Sequence, residues 1–302
     1  MKKLARNILL FLPLLLLHPA PAPTEEPYTL YILMNGQQPA YQQVIQGLSE
    51  TAPGISLTIF DLSNPDTPGK IRSSPPPATL LTLGSQALKF AQEIYPQIPT
   101  IYAMILNPDL YLSPEANAAG IPLKIRPRTQ LETFQRFFPS LKRVGVIYDP
   151  SENQATVTEA QAAARELGLI LVEKRVENQK EIGNAIKDII WTIDALWMIP
   201  DSTVVSKESF QYLLENSLDR RFPLFAFSEN FVKAGALLAL APRYQDIGRQ
   251  AGTLLKQVLS GKSPKSLPPL YPEGQLILNL KTAQALNLSL PPELLNRAAK
   301  TY

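Results

Sequence analysis

The chain has 302 residues with 45% hydrophobic content, 29 basic and 26 acidic side chains, one histidine and no cysteine. Lys2, Lys3, Arg6 and the histidine, His18, all fall within the first 22 residues, so the remainder carries 26 cations against 26 anions and neither imidazole nor thiol. This excludes disulfides, thiol and histidine catalysis beyond the N-terminus, and the clustered basic surface that nucleic acid would require.

Residues 1–22 read as an export leader. A short basic region precedes an apolar run from Ile8 to Leu17, broken only by Pro13, which is too short to span a bilayer and suits a signal peptide. Ala20-Pro21-Ala22 gives the small-x-small pattern of a cleavage site. Pro23 fits poorly after it, which leaves shifted, inefficient or absent cleavage as alternatives. No later stretch approaches 18 apolar residues, so a soluble, extracytoplasmic (periplasmic) body is expected, with no lipid-modified cysteine. Roughly 280 residues beyond the leader favour two lobes over one core.

In chain order, Tyr28 to Met34 predicts a strand, Ala40 to Thr51 a helix through Val44, Ile45 and Leu48, and Ile55 to Phe60 a strand. Asn64 to Pro77 is proline-rich and reads as a loop or a much shortened helix. Strand Ala78 to Leu83, helix Ser85 to Ile94 and strand Thr100 to Leu106 follow. Gly120 to Ile125 reads as a strand crossing between lobes, Thr129 to Phe138 as a helix, Arg143 to Tyr148 as a buried strand, and Glu152 to Leu167 as a helix stopped by Gly168. Then come strand Ile170 to Val176, helix Lys180 to Ile190, strand Ala195 to Ile199, helix Lys207 to Leu218 and strand Leu224 to Phe227. Strand Ala236 to Leu240, helix Gln245 to Leu259 and strand Gln275 to Leu280 complete the alternation, and Pro291 to Leu295 predicts a short helix packed on a lobe.

Strands alternating with helices imply parallel sheets covered on both faces, here two doubly wound α/β lobes. Such sheets bind ligands at the carboxyl ends of their strands, near the point where strand order reverses. The segments to inspect are Asn35-Gly36, Gly84-Ser85-Gln86, Asn107-Pro108, Asp149 to Glu152, Pro200 to Thr203 and Ser228-Glu229.

Several segments together resemble the ABC-transporter substrate-binding proteins that include periplasmic tryptophan and tyrosine binders. They are RVGVIYDPSEN (143–153), DALWMIPDSTVV (194–205), FPLFAFSENFVKAGALLAL (222–240), YQDIGRQAGTLLKQVLSGKSP (244–264) and LNLKTAQALNL (278–288), with TLLTLGSQALKFAQ (79–92) and IPTIYAMILNP (98–108) in the N-terminal half. The resemblance implies a type I periplasmic-binding fold: an N-terminal lobe of residues 28–125 plus 242–267, a C-terminal lobe of 126–241 plus 268–290, and a tail of 291–302. It also implies a small, often aromatic, amino-acid ligand held by hinge closure. The chain departs from the family at Asn107-Pro108, at Ser151 to Ala155, at Asp201-Ser202 and in the proline-rich segment, which leaves the ligand unnamed.

Each candidate has two readings. Gly84, Ser85 and Gln86 open a helix, where amides and the Ser85 hydroxyl could take a ligand carboxylate, or Ser85 could simply cap. Asp201 could pair with a ligand ammonium or cap the next helix start. Ser151, Glu152 and Asn153 could fix the ligand's polar end or form an ordinary turn into a helix. Asn107, Ser202 and Ser228 are further cleft candidates. Phe225 and Phe227 fall on one face by alternation and read as core, as do Trp191 and Trp197. Tyr41 and Tyr102 are weaker aromatic candidates.

The leading expectation is therefore a non-catalytic solute-binding protein, monomeric, serving an ABC permease or a sensor, with no cofactor and no metal. The alternative is an accessory module that keeps the fold without high-affinity binding. An enzyme is disfavoured because Asp149, Glu152, Asp201 and Glu229 lack metal-ligand spacing and no serine elbow occurs. The sharpest expectation is a zwitterionic ligand, its amine on Asp201 and its carboxylate on Ser85, Ser151 and Asn153. Asp201→Asn should then weaken binding about ten- to a hundredfold with the fold intact.

Overall fold

The computed structural model describes residues 28–302; the expected leader lies outside the described residues. The chain begins with β1 (Thr29–Met34), α1 (Pro39–Thr51), β2 (Ser56–Asp61), α2 (Thr67–Ser73), β3 (Thr79–Leu83), α3 (Ser85–Ile94), β4 (Thr100–Ile105) and β5 (Ala118–Pro122). These five strands form one sheet in the order β2-β1-β3-β4-β5, every pair parallel. Alternation along β1 sends Leu30, Ile32 and Met34 into one core and Tyr31 and Leu33 into the other, which is why the run is apolar without a break. The proline-rich segment contains the shortened helix, α2, whose Ile71 is fully buried under the sheet.

Residues 123–126 cross to the second sheet. There α4 (Pro127–Phe137), β6 (Arg143–Tyr148), α5 (Pro150–Glu166), β7 (Ile170–Arg175), α6 (Ile182–Ile189), β8 (Ala195–Trp197), α7 (Lys207–Arg220), β9 (Leu224–Ala226), α8 (Glu229–Lys233) and β10 (Leu238–Pro242) follow. Then α9 (Tyr244–Leu259) returns to pack on α1 against the first sheet. Finally β11 (Gly274–Leu278), α10 (Leu280–Ala285), α11 (Pro292–Arg297) and β12 (Ala298–Thr301) complete a seven-stranded sheet ordered β12-β11-β10-β9-β8-β6-β7. Phe134, Val157 and Trp197 belong to the core on one face; Ile186, Phe210 and Val232 belong to the core on the other.

Several expectations shift. β10 and β11 pair antiparallel, because the chain re-enters the second sheet from the first at the end where β10 leaves it. Pairing of β10 starts at Leu238 and runs to Pro242, and β5 stops at Pro122, so only the residues after it cross. β11 ends at Leu278 because Asn279 caps α10, its side-chain oxygen accepting from the Thr282 N–H at 2.9 Å. The tail forms β12 as well as a helix, with Leu294 fully buried in the core. Trp191 is not core: it follows the end of α6, is 69% exposed and lies under the Arg220 guanidinium at 4.0 Å. No helix among the described residues is long and apolar enough to cross a membrane.

Candidate functional site

Strand order reverses between β1 and β3 in the first sheet and between β6 and β8 in the second, so each sheet has a crevice at the carboxyl ends of those strands. In the first sheet, Asp61 fixes the turn after β1 by accepting from the Gly36 N–H at 2.8 Å, and its hydrogen bonds with Ser63 and Gly36 hold its carboxyl below the usual range. Gly84 leaves β3 with φ +91; its N–H donates to Ala103 O at 3.0 Å and is not free for a ligand. A β-carbon there would stand 2.8 Å from the hydroxyl of Tyr41, whose buried ring has its phenol pKa raised by desolvation. Gly84 rather than Ser85 occupies the cap position of α3, and the Ser85 hydroxyl makes no hydrogen bond among the described residues. Tyr102 is buried instead, with its phenol pushed up to about 12 by burial, and is not at the cleft surface.

β4 ends irregularly. Met104 has φ +63, in the left-handed region that costs a non-glycine residue about 1–2 kcal/mol, and the register with β5 shifts there. Past this irregularity lie Leu106 and Asn107. The Asn107 Nδ2 donates to the Glu152 carbonyl at 3.1 Å, a bond from the first sheet's strand ends to the helix that follows β6.

The second sheet's strand ends are tied by a polar network. Asp201, 4% exposed, accepts at Oδ2 from the Asp149 N–H (2.8 Å) and Asn153 Nδ2 (2.9 Å), and at Oδ1 from the N–H groups of Thr203 (3.1 Å) and Val204 (2.9 Å). A carboxylate has about four acceptor sites, and all four are filled. Asp149 accepts from Thr203 Oγ1 (2.7 Å) and from the Ser151 hydroxyl and N–H, and these bonds, Thr203 first, lower its pKa. Glu152 accepts from the Ser202 N–H (2.8 Å) and hydroxyl. The network ties the ends of β6 and β8 to each other and to the start of α5.

Two adjoining cavities lie where these ends and the crossover meet, of about 200 Å³ and about 20 Å³. They share Leu106, Lys124, Ile125, Gln130 and Pro200. The larger also meets Phe227, Ser228, Leu240 and Tyr244; the smaller meets Asn107, Asn153 and Thr156. Of the predicted site residues, Asn107, Asn153 and Ser228 therefore reach a cavity. Ser151, Glu152, Asp201 and Ser202 form the tying network, and Gly84, Ser85 and Gln86 line neither cavity. Phe227 departs from the expected shared face with Phe225: the strand ends at Ala226, so Phe225 packs on Phe134 at 4.2 Å while Phe227 meets Phe231 at 5.0 Å and the cleft. Lys124 escaped the sequence reading because a crossover has no periodic pattern to mark which side chains face a cleft, and Tyr244 because it is the first residue of α9, ahead of that helix's apolar spacing.

A larger groove of about 650 Å³ lies beside the crossovers, among Arg126, Arg243, Tyr271 and Arg297. Among the described residues no three of His, Cys, Asp and Glu gather as metal ligands.

Comparison with known proteins gives consistent matches. A family model described as ABC transporter substrate binding protein matches residues 81–302. A tyrosine-binding protein of Clostridioides difficile (strain R20291) is 29% identical over 178 residues, 58% of this chain, and the match spans 51% of that relative's length. Among solved structures, the ligand-free, open form of CD0873, a substrate binding protein with adhesive properties from Clostridium difficile, superposes with TM-score 0.72 at 19% identity, covering 90% of this chain and 98% of its own. An ABC domain from Streptococcus pneumonia in complex with L-Trp gives TM-score 0.61 at 19% identity, covering 92% and 100%. The two-lobed type I periplasmic-binding fold expected from the sequence is the fold found.

Proposed function

The chain belongs to the ABC transporter substrate-binding protein family, and from that premise we propose that it is an exported receptor for a small organic solute, which it holds between its lobes and offers to an ABC permease or a membrane sensor. The observation that carries this reading is the cavity of about 200 Å³ where strand ends of both sheets converge on the first crossover. A ligand there touches both lobes and the segment joining them, so it binds the closed arrangement better than the open one and shifts the population toward it. The tyrosine- and L-Trp-binding relatives support a ligand of amino-acid size. The lobes divide as 28–125 plus 242–267 and 126–241 plus the remainder, with the leader directing the protein outside the cytoplasm as a monomer. Turnover is no part of the proposal: the acids at the strand ends are all consumed in structural bonds, leaving no base poised over the cavity.

The test is a thermal-shift screen of amino acids, small carboxylates and related solutes, with small-angle scattering on each hit. Stabilisation together with a smaller radius of gyration is expected. A hit that leaves the scattering unchanged counts against hinge closure, and a screen without hits counts against solute binding and for an accessory module.

A further inference from the structure

The charge balance of the cleft names the ligand more closely than its size does. Lys124, half-buried, stands in the wall common to both cavities, and among the described residues it has no ion pair and no hydrogen bond from its ammonium. Its surroundings are chiefly apolar: Leu106, Leu123, Ile125, Phe227 and Leu240. A cation in such a wall is stabilised by an arriving anion far more than it would be in water.

A ligand ammonium would need the opposite, an available carboxylate. No carboxylate lines either cavity. Asp201 has its four donors, Asp149 is held by Thr203 and Ser151, and Glu152 by Ser202. Glu229, next to the cavity residue Ser228, is bound to Lys233, Lys300 and Tyr302. Asp109 and Glu159 help to raise the Tyr271 phenol pKa and line neither cavity. An amino acid would thus bring its ammonium into a small space that already holds an unneutralised cation.

We infer that the cleft is built for an organic carboxylate with an apolar body and no amine, a 2-oxo acid or arylalkanoate, with its carboxylate on Lys124. This rests on the solute-binding reading above. Ser228 and Tyr244, whose hydroxyls make no hydrogen bonds among the described residues, line the same cavity and suit a keto or hydroxyl oxygen on the ligand. The inference replaces the amine of the expected zwitterion and keeps its carboxylate.

The test is calorimetric titration of the purified full chain with a matched trio: 3-phenylpropionate, L-phenylalanine and phenethylamine. The carboxylate alone should bind at least about tenfold more tightly than the amino acid, and the amine not at all. Lys124→Gln should weaken 3-phenylpropionate by about tenfold or more while Lys124→Arg stays within a few fold, with the melting temperatures of both close to the parent's. Tighter binding of L-phenylalanine than of 3-phenylpropionate, or an unchanged Lys124→Gln, overturns the inference while leaving solute binding in place. No binding by the trio or by any solute in the wider screen overturns solute binding and this inference with it.

Discussion

Changing the Asp201 carboxylate to an amide turns one acceptor oxygen into a donor, and either orientation sets it against N–H groups: Asp149 and Asn153 on one side, Thr203 and Val204 on the other. Asp201→Asn should therefore cost stability, about 2–3 kcal/mol in urea titrations, as a buried charge-assisted network loses its acceptor. This reverses the sequence expectation of an intact fold and weaker binding. An unchanged urea midpoint would return Asp201 to the ligand. The sequence carried the strand end and the acid, but its partners at Asp149 and Asn153 lie 52 and 48 residues away, and no local pattern reports such contacts. Lys124 was illegible for a related reason. A lysine in an irregular crossover looks like any solvated charge until the fold sets it between two lobes.

At the scale of elements, α1 and α9, nearly two hundred residues apart in sequence, pack backbone to backbone against the first sheet's face. A β-carbon on Gly47 would lie 1.9 Å from the Gln245 carbonyl oxygen, and one on Gly248 would lie 2.0 Å from the Val44 carbonyl oxygen. These glycines let two backbones touch. Gly248→Ala should force the helices apart and destabilise by about 3 kcal/mol, read as a loss in chemical-denaturation midpoint. Gly183→Ala, in α6, where nothing lies within 4 Å of the added carbon, should stabilise by about 0.5–1 kcal/mol. Equal effects at the two positions would refute this account of the contact. Both helices were readable from apolar spacing and the Gly261 stop, whereas their pairing was not. α10 and β12 went unread because the first is a single capped turn and a half and the second, AAKT, is a short, largely exposed edge strand without an apolar alternation.

At the scale of the whole molecule, one acid adds a charged tie to the C-terminal strand that β11 already pairs. Glu229 binds Lys300, Tyr302 and Lys233, which hold its carboxyl at about 2 against an ordinary 4.5. Because the folded-state value is depressed, the stabilisation is present above pH 4.5 and is lost as pH falls from there through 2. Melting temperature should decline across that window, and the decline should be shallower in Glu229→Gln, which starts lower at neutral pH; parallel curves for the two proteins would exclude this anchor. A different bond offers an optical use of the fold. The Trp197 indole N–H donates to Gln130 Oε1 at 3.0 Å, and Gln130 Nε2 donates to the Ile125 carbonyl at 2.9 Å, in the crossover itself. With two tryptophans in the chain, one exposed against Arg220 and the other buried in β8 and linked through Gln130 to the crossover, Trp191→Phe would leave a single buried emitter tied to the proposed hinge. Lobe motion should then be visible as a change in its emission, making the unlabelled protein its own fluorescent gauge of opening and closing.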